Sequence, residues 1–261
     1  MTAELQDLGD RLIVWNGNGA RRGALTPQFY DTLAQALDRA AAPQVRSVIL
    51  TSRDDFFCAG GDLNVLIERR RLSAQERRDK IDALHDLVRA IRACPVPVIA
   101  AIKGGAAGAG MSLALACDMI IAAQDAKFTA AYVKAGLVPD AGLTSALARL
   151  VPRSLAMELC LLGRPITAQR LADLGVVNLL CDADQVLPQA HALADALARG
   201  PRQAQGVIRG LVSTAYETTE AQALNLERDA MAAAAAAPEA GIGIAAFLAK
   251  QRPDFSDPQP E

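Results

Sequence analysis

The 261-residue sequence holds only two histidines, His85 and His191, and its five cysteines (Cys58, Cys94, Cys117, Cys160, Cys181) are scattered without a C-x-x-C pair. That scarcity leaves no cluster with metal-ligand spacing, so no metal site is expected. An odd number of dispersed thiols also argues against a disulfide framework and for a reducing compartment. Charge of one sign is missing too: 27 Lys and Arg face 29 Asp and Glu, for a net charge of −2. Neither nucleic acid nor an anionic membrane is therefore expected as the main partner. No apolar run is long enough to cross a bilayer, and the acidic opening Met1-Thr2-Ala3-Glu4-Leu5-Gln6-Asp7 has no signal-peptide core. The expectation is a soluble, cytoplasmic chain, long enough for one large domain or a core with a small appendage.

What is present is glycine in two telling places. Pro95 to Ile102 is a β-branched and alanine run that feeds Lys103-Gly104-Gly105-Ala106-Ala107-Gly108-Ala109-Gly110 and then the leucine-rich, helically spaced Met111 to Cys117. This reads as strand, tight turn, helix start. Earlier, Val45 to Ser52 reads as a strand that ends in Asp54-Asp55-Phe56-Phe57-Cys58-Ala59-Gly60-Gly61-Asp62-Leu63. Unpaired amides at such turns favour negative charge. Two of them converging on one oxygen would make an oxyanion hole.

The rest of the chain alternates. Arg11 to Asn16 reads as a strand, and Asn16-Gly17-Asn18-Gly19 as its turn. The spacing Gly17-x-Gly19-x-x-x-Gly23 is one residue off a dinucleotide fingerprint, but the next helix starts only at Thr26-Pro27, too late to take a pyrophosphate from those glycines. Thr26 caps that helix, with Phe29, Leu33 and Leu37 as its stripe. Ser73-x-x-Glu76 forms a capping box for a helix with Ile81, Leu84, Leu87 and Ile91 on one face, ended by Cys94-Pro95. The charged run Glu68 to Arg71 is expected as a mobile or solvated loop over the site, and Phe128 to Val133 as a short extended piece. Thr167 caps a helix through Leu171, Val176 to Leu180 closes the core, and from about Leu187 the chain is helical. Thr219-x-x-Gln222 caps one late helix, and Gly241 to Lys250 forms the last. Alternating strands and helices with a helical tail imply an α/β fold.

Four ordered motifs carry a family resemblance that covers nearly the whole chain. They are Phe57-x-Ala59-Gly60-Gly61-Asp62-Leu63; Ala107-Gly108-Ala109-Gly110 running to Leu113-Ala114-x-x-Cys117-Asp118; Phe128 with Gly136-Leu137-Val138-Pro139-Asp140-Ala141-Gly142; and Ala168-x-x-Leu171-x-x-x-Gly175-Val176-Val177. In these the sequence resembles the enoyl-CoA hydratase/isomerase (crotonase) superfamily. The resemblance implies a crotonase-like spiral of ββα units over residues 1–200, with a helical C-terminal trimerisation region over residues 201–261. It also implies a homotrimer or dimer of trimers acting on an acyl-CoA thioester of fatty or aromatic acid metabolism. Coenzyme A would enter as part of the substrate and not as a separate cofactor.

Residue by residue, the resemblance assigns the two oxyanion-hole N–H groups to Gly61 and Ala109, with Ala59, Gly60 and Gly108 beside them in substrate binding. Arg21 and Arg22 would meet the CoA phosphates, and Phe247 and Lys250 would reach a neighbouring subunit's CoA. The paired glutamates of a hydratase would fall at Ser112 and Tyr132, where this chain has neither carboxylate. What remains is Asp140, matching the aspartate of isomerase-type and dehalogenase-type members. Tyr132 is then a pocket wall or a hydrogen-bond donor to the substrate, and Ser112 a small residue that widens the pocket. Three readings stay open. The first is an isomerase-type enzyme in which Asp140 shuttles a proton next to a thioester enolate. The second is a hydratase or ring-opening hydrolase using His85 with Asp140. The third is a non-catalytic CoA-binding protein.

Overall fold

Two unbroken apolar runs, Val48 to Leu50 and Val98 to Ile102, lie at the centre of a six-stranded sheet, buried at every position. Burial on both faces is what erases alternation from their sequence. The structure, a computed structural model, describes residues 2–255. In chain order its strands are β1 (Ala3–Asp7), β2 (Arg11–Asn16), β3 (Ser47–Ser52), β4 (Val98–Ile102), β5 (Gly105–Ala107), β6 (Met119–Ala123), β7 (Lys127–Thr129), β8 (Pro165–Thr167) and β9 (Leu179–Cys181). The large sheet runs β1-β2-β3-β4-β6-β9, parallel throughout except for the β1–β2 pair. A smaller sheet holds β5-β7-β8.

The helices are α1 (Pro27–Arg39), α2 (Leu63–Arg69), α3 (Ala74–Ala93), α4 (Ala109–Ala116), α5 (Leu143–Leu150), α6 (Arg153–Leu162), α7 (Ala168–Asp173), α8 (Val186–Ala198), α9 (Arg202–Thr214), α10 (Glu220–Ala235) and α11 (Pro238–Leu248). Each turn of the chain leaves the large sheet, touches the small one and returns through a helix. β4, β5 and α4 make one such turn, and β6, β7 and α5 the next. The preceding turn has β3, a single bridge from Cys58 to Ala106, and then α2 and α3. This is the spiral of ββα units that the motifs imply.

Local chemistry sets the ends of these elements. Thr26 Oγ1 accepts from the Phe29 amide at the start of α1, and the Ser73/Glu76 and Thr219/Gln222 boxes close reciprocally on α3 and α10. Arg209 of α9 ties the tail to the core. Its buried guanidinium bonds Asp118 at 2.6 Å, the carbonyls of Ile91 and Arg92 in the last turn of α3, and that of Cys94, which caps it. Asp118 also accepts from the Val98 amide at 2.7 Å, so it holds β4 and the tail together. Among the described residues no single helix is long and apolar enough to cross a membrane.

Several sequence expectations need correction. Glu68 to Arg71 is not a loop: Glu68 and Arg69 end α2, which Asp62 starts by accepting from the Asn64 amide. Phe128 to Val133 is extended only to Thr129, because residues 131–135 wind into a 3-10 turn that Gly136 closes in the left-handed region. The last helix starts at Pro238, whose fixed φ suits a first helical position, and stops at Leu248. Ile81 does not join the buried face of α3 but is exposed at a cavity. The acidic opening contains strand β1, paired along its length with β2.

Candidate active site

The glycine-rich stretch is more than a turn. Gly105, Ala106 and Ala107 form strand β5, and the turn proper is Gly108, with φ 52° and ψ −128°. That conformation is open only to glycine, and it places the Ala109 amide as the first free N–H of α4. Gly108 donates to Thr129 O at 2.9 Å, which fixes the turn against β7.

The earlier turn is fastened to this one. The Ala107 amide donates to Cys58 O at 2.8 Å, and Leu25 donates to Gly60 O at 2.8 Å. Gly60 has φ +87°, and a Cβ built there would lie 2.8 Å from both Ala107 O and the Ala109 nitrogen. The two turns are thus in van der Waals contact at the place where their amides emerge. Neither the Gly61 nor the Ala109 amide donates to an atom of the chain among the described residues. Both residues line one cavity of about 370 Å³.

Asp140 lines the same cavity. The phenol of Tyr132 donates to its Oδ1 at 2.7 Å. That spends the phenol's only proton, so the buried Ser112 hydroxyl is left to donate, to the phenol oxygen at 3.1 Å, the Asp140 carbonyl at 3.2 Å or the Gly108 carbonyl at 3.4 Å. Burial first, and the Asp140 charge second, hold the Tyr132 phenol well above its ordinary pKa. It is a neutral donor at physiological pH, and with Oδ1 occupied the second carboxylate oxygen stays available.

The backbone after Asp140 is strained. Ala141 sits at φ 52° and Gly142 at φ 75°, before α5 begins. A left-handed alanine costs about 1–2 kcal/mol, and the Ala141 amide is held by His85, whose Nε2 accepts from it at 3.1 Å. A nitrogen accepting a hydrogen bond carries no proton, so the imidazole proton lies on Nδ1, 3.7 Å from Asp82. His85 therefore supports the Asp140 loop from behind and does not line the cavity.

Of the residues singled out from sequence, Gly61, Ala109, Tyr132, Asp140, Ala59 and Gly108 line one cavity. Gly60 packs beneath it. Arg21 pairs with Asp62, and Arg22 lies 4.0 Å over the Phe56 ring. Phe247 and Lys250 stand exposed on the tail, away from this lining. Sequence reasoning undervalued Ser112, whose hydroxyl belongs to the Asp140 network, and missed Tyr30 of α1. The Tyr30 phenol faces the cavity, and burial pushes its pKa up to about 12. Its place beside the capping Thr26, at an apolar position of α1, was the one available signal.

A family model described as enoyl-CoA hydratase/isomerase matches residues 19–258. The 1,2-epoxyphenylacetyl-CoA isomerase of Escherichia coli is 35% identical over 90% of this chain and 91% of its own. The 2,3-dehydroadipyl-CoA hydratase of the same organism is 34% identical over the same shares of the two chains. Among solved structures, an enoyl-CoA hydratase from Polaromonas sp. JS666 superposes with a TM-score of 0.93 at 41% identity, covering 97% of this chain and 98% of that one.

Proposed function

The chain belongs to the enoyl-CoA hydratase/isomerase family of acyl-CoA enzymes, and from that premise we propose that it is an isomerase-type enzyme in which Asp140 moves one proton along the acyl chain. The observation that carries this reading is that one carboxylate, held at 2.7 Å by the Tyr132 phenol, shares a cavity with two amides that donate to no atom among the described residues. Relatives named as an isomerase and as a hydratase are almost equally similar, so their names do not choose between the reactions.

In this reading the thioester oxygen accepts from the Gly61 and Ala109 amides. Asp140 takes a proton from the α-carbon of a 3-enoyl-CoA, and the electron pair of the broken C–H bond spreads into a dienolate. The two amides stabilise the developing oxyanion, each typically worth about 3 kcal/mol of barrier. Asp140 then returns the proton to the γ-carbon, and the double bond moves into conjugation with the carbonyl. No water enters, and none needs to be placed. A hydratase requires a second acid or base to orient water. Here the positions that the resemblance gives to the two glutamates hold Ser112 and Tyr132, and His85 is occupied by the Ala141 amide.

The expected homotrimer or dimer of trimers, built by the helical tail, fits the same reading: α9 to α11 expose Val212, Met231, Phe247 and Leu248, apolar surface that further copies would cover. Product analysis tests the activity. With 3-enoyl-CoA the double bond is expected to migrate without mass change, and with 2-enoyl-CoA no 3-hydroxyacyl-CoA should accumulate. Hydration as the main reaction would overturn the proposal.

A further inference from the structure

The cavity wall built by α2 and the start of α3 carries three guanidinium groups, Arg69, Arg70 and Arg77, in an otherwise apolar lining that includes Leu66 and Leu84. They are not equally engaged. Arg77 donates to the Leu72 carbonyl at 2.7 Å and pins the loop between the helices, and the neighbouring Arg71 pairs with Glu68. Among the described residues, the Arg69 and Arg70 side chains make no hydrogen bond or ion pair. Of the anions at the cavity, Asp62 pairs with Arg21, while the Asp140 carboxylate, held by the neutral Tyr132 phenol, keeps its charge and forms no ion pair with Arg69 or Arg70 among the described residues. This wall therefore carries two guanidinium groups that no ion pair among the described residues engages.

Tyr30 links that charge to the reacting end of the cavity. Its phenol lies within the fields of both Arg69 and Asp140 and makes no hydrogen bond to the chain among the described residues. With its pKa pushed up to about 12 by burial, it is a neutral donor beside a free cation. A guanidinium with an adjacent hydroxyl is the donor set that receives a carboxylate, the guanidinium in two-pronged fashion. A carboxylate entering an apolar cavity needs such a partner, since leaving it unpaired is costly.

We propose that the acyl group accepted here ends in a carboxylate, bound by the Arg69 guanidinium and the Tyr30 hydroxyl. The assignment rests on the proposed function in one respect, that the thioester lies at Gly61 and Ala109 with the acyl carbons along Asp140. Tyr30, which lies within the fields of both Asp140 and Arg69, is then grouped with the acyl carbons and not with the coenzyme. The phosphates of coenzyme A offer the same anionic chemistry, but they sit at the far end of the pantetheine arm from the thioester. Substrates of this class are the CoA monothioesters of unsaturated dicarboxylic acids.

Binding of saturated acyl-CoA esters tests this without any turnover, so the preference is read whether or not the isomerase reading survives. Glutaryl-, adipoyl- and pimeloyl-CoA are compared by calorimetry with pentanoyl-, hexanoyl- and heptanoyl-CoA, on wild type, Arg69→Gln and Tyr30→Phe, each checked for an unchanged Tm. Wild type is expected to bind at least one dicarboxylic ester about tenfold or more tighter than its monocarboxylic counterpart. Arg69→Gln should erase that preference while leaving the monocarboxylic Kd within about twofold, and Tyr30→Phe should reduce it. Absence of a preference in wild type at every length overturns the proposal. Equal weakening of both series by Arg69→Gln also overturns it and assigns Arg69 to the coenzyme's phosphates.

Discussion

The phenol oxygen of Tyr132 lies 2.7 Å from Oδ1 of Asp140, and it is the only side-chain hydrogen bond that the Asp140 carboxylate receives among the described residues. A hydrogen bond to a charged group is worth about 1.5–3 kcal/mol. Tyr132→Phe keeps the ring and removes that bond, so kcat is expected to fall by about 10- to 100-fold with KM little changed. Steady-state kinetics on a 3-enoyl-CoA checks this. An unchanged kcat would make Tyr132 a pocket wall only.

Gly60 separates the two turns at the point where they touch. A Cβ there would lie 2.8 Å from the Ala109 nitrogen and from Ala107 O, on a backbone with φ +87°. Gly60→Ala must push one turn away from the other, and with it one of the two amides. Loss of one oxyanion donor lowers kcat by about 10²–10³, and an effect of that size is expected here. Thermal denaturation run in parallel separates a displaced amide from a protein that no longer folds.

His85 accepts from Ala141 through Nε2, so its work is to hold the strained loop. Glutamine also offers an acceptor, on a longer and unringed side chain. His85→Gln is therefore expected to keep most of the activity, whereas His85→Ala, which leaves the Ala141 amide unpaired, should lose more. Equal and near-complete loss in both variants would restore His85 as a base and favour water-adding chemistry.

Stability is expected to fall in alkali for a definite reason. An unfolded tyrosine ionises near pH 10. Burial holds the Tyr30 phenol up to about 12 and the Tyr132 phenol well above its ordinary value. The contribution of these two neutral phenols is complete below pH 10. Above it the unfolded chain sheds protons that the folded one keeps, so unfolding becomes easier as pH rises. Each such group contributes a slope of up to about 1.4 kcal/mol per pH unit. Urea titrations between pH 9 and 11 should show a shallower decline in Tyr132→Phe than in wild type.

The parts of this molecule that were legible in the sequence are those fixed by local chemistry. Thr26, Ser73 and Thr219 announce helix starts because a capping hydroxyl needs only its own next turn. The two tight turns were legible in their glycines, while the choice of Gly61 and Ala109 within them came from the family resemblance. Strand β5 was hidden, since Gly105-Ala106-Ala107 has no strand propensity and exists only because β7 and the Cys58 bridge pair with it. The roles of Ser112 and His85 were hidden for the same reason. Each depends on a partner tens of residues away, and spacing along the chain does not reveal which atom of a ring or hydroxyl is already taken.

Proton exchange in D₂O tests the role of Asp140 most directly. Wild type and Asp140→Asn are incubated with 3-enoyl-CoA and with saturated acyl-CoA, and deuterium at the α-carbon and double-bond position are followed by mass spectrometry and NMR. Wild type is expected to exchange and isomerise, and Asp140→Asn to bind the thioester while exchanging about 10²–10⁴-fold more slowly. Exchange at the wild-type rate in Asp140→Asn, or none in a wild type that binds the thioester, would contradict a proton carried by Asp140.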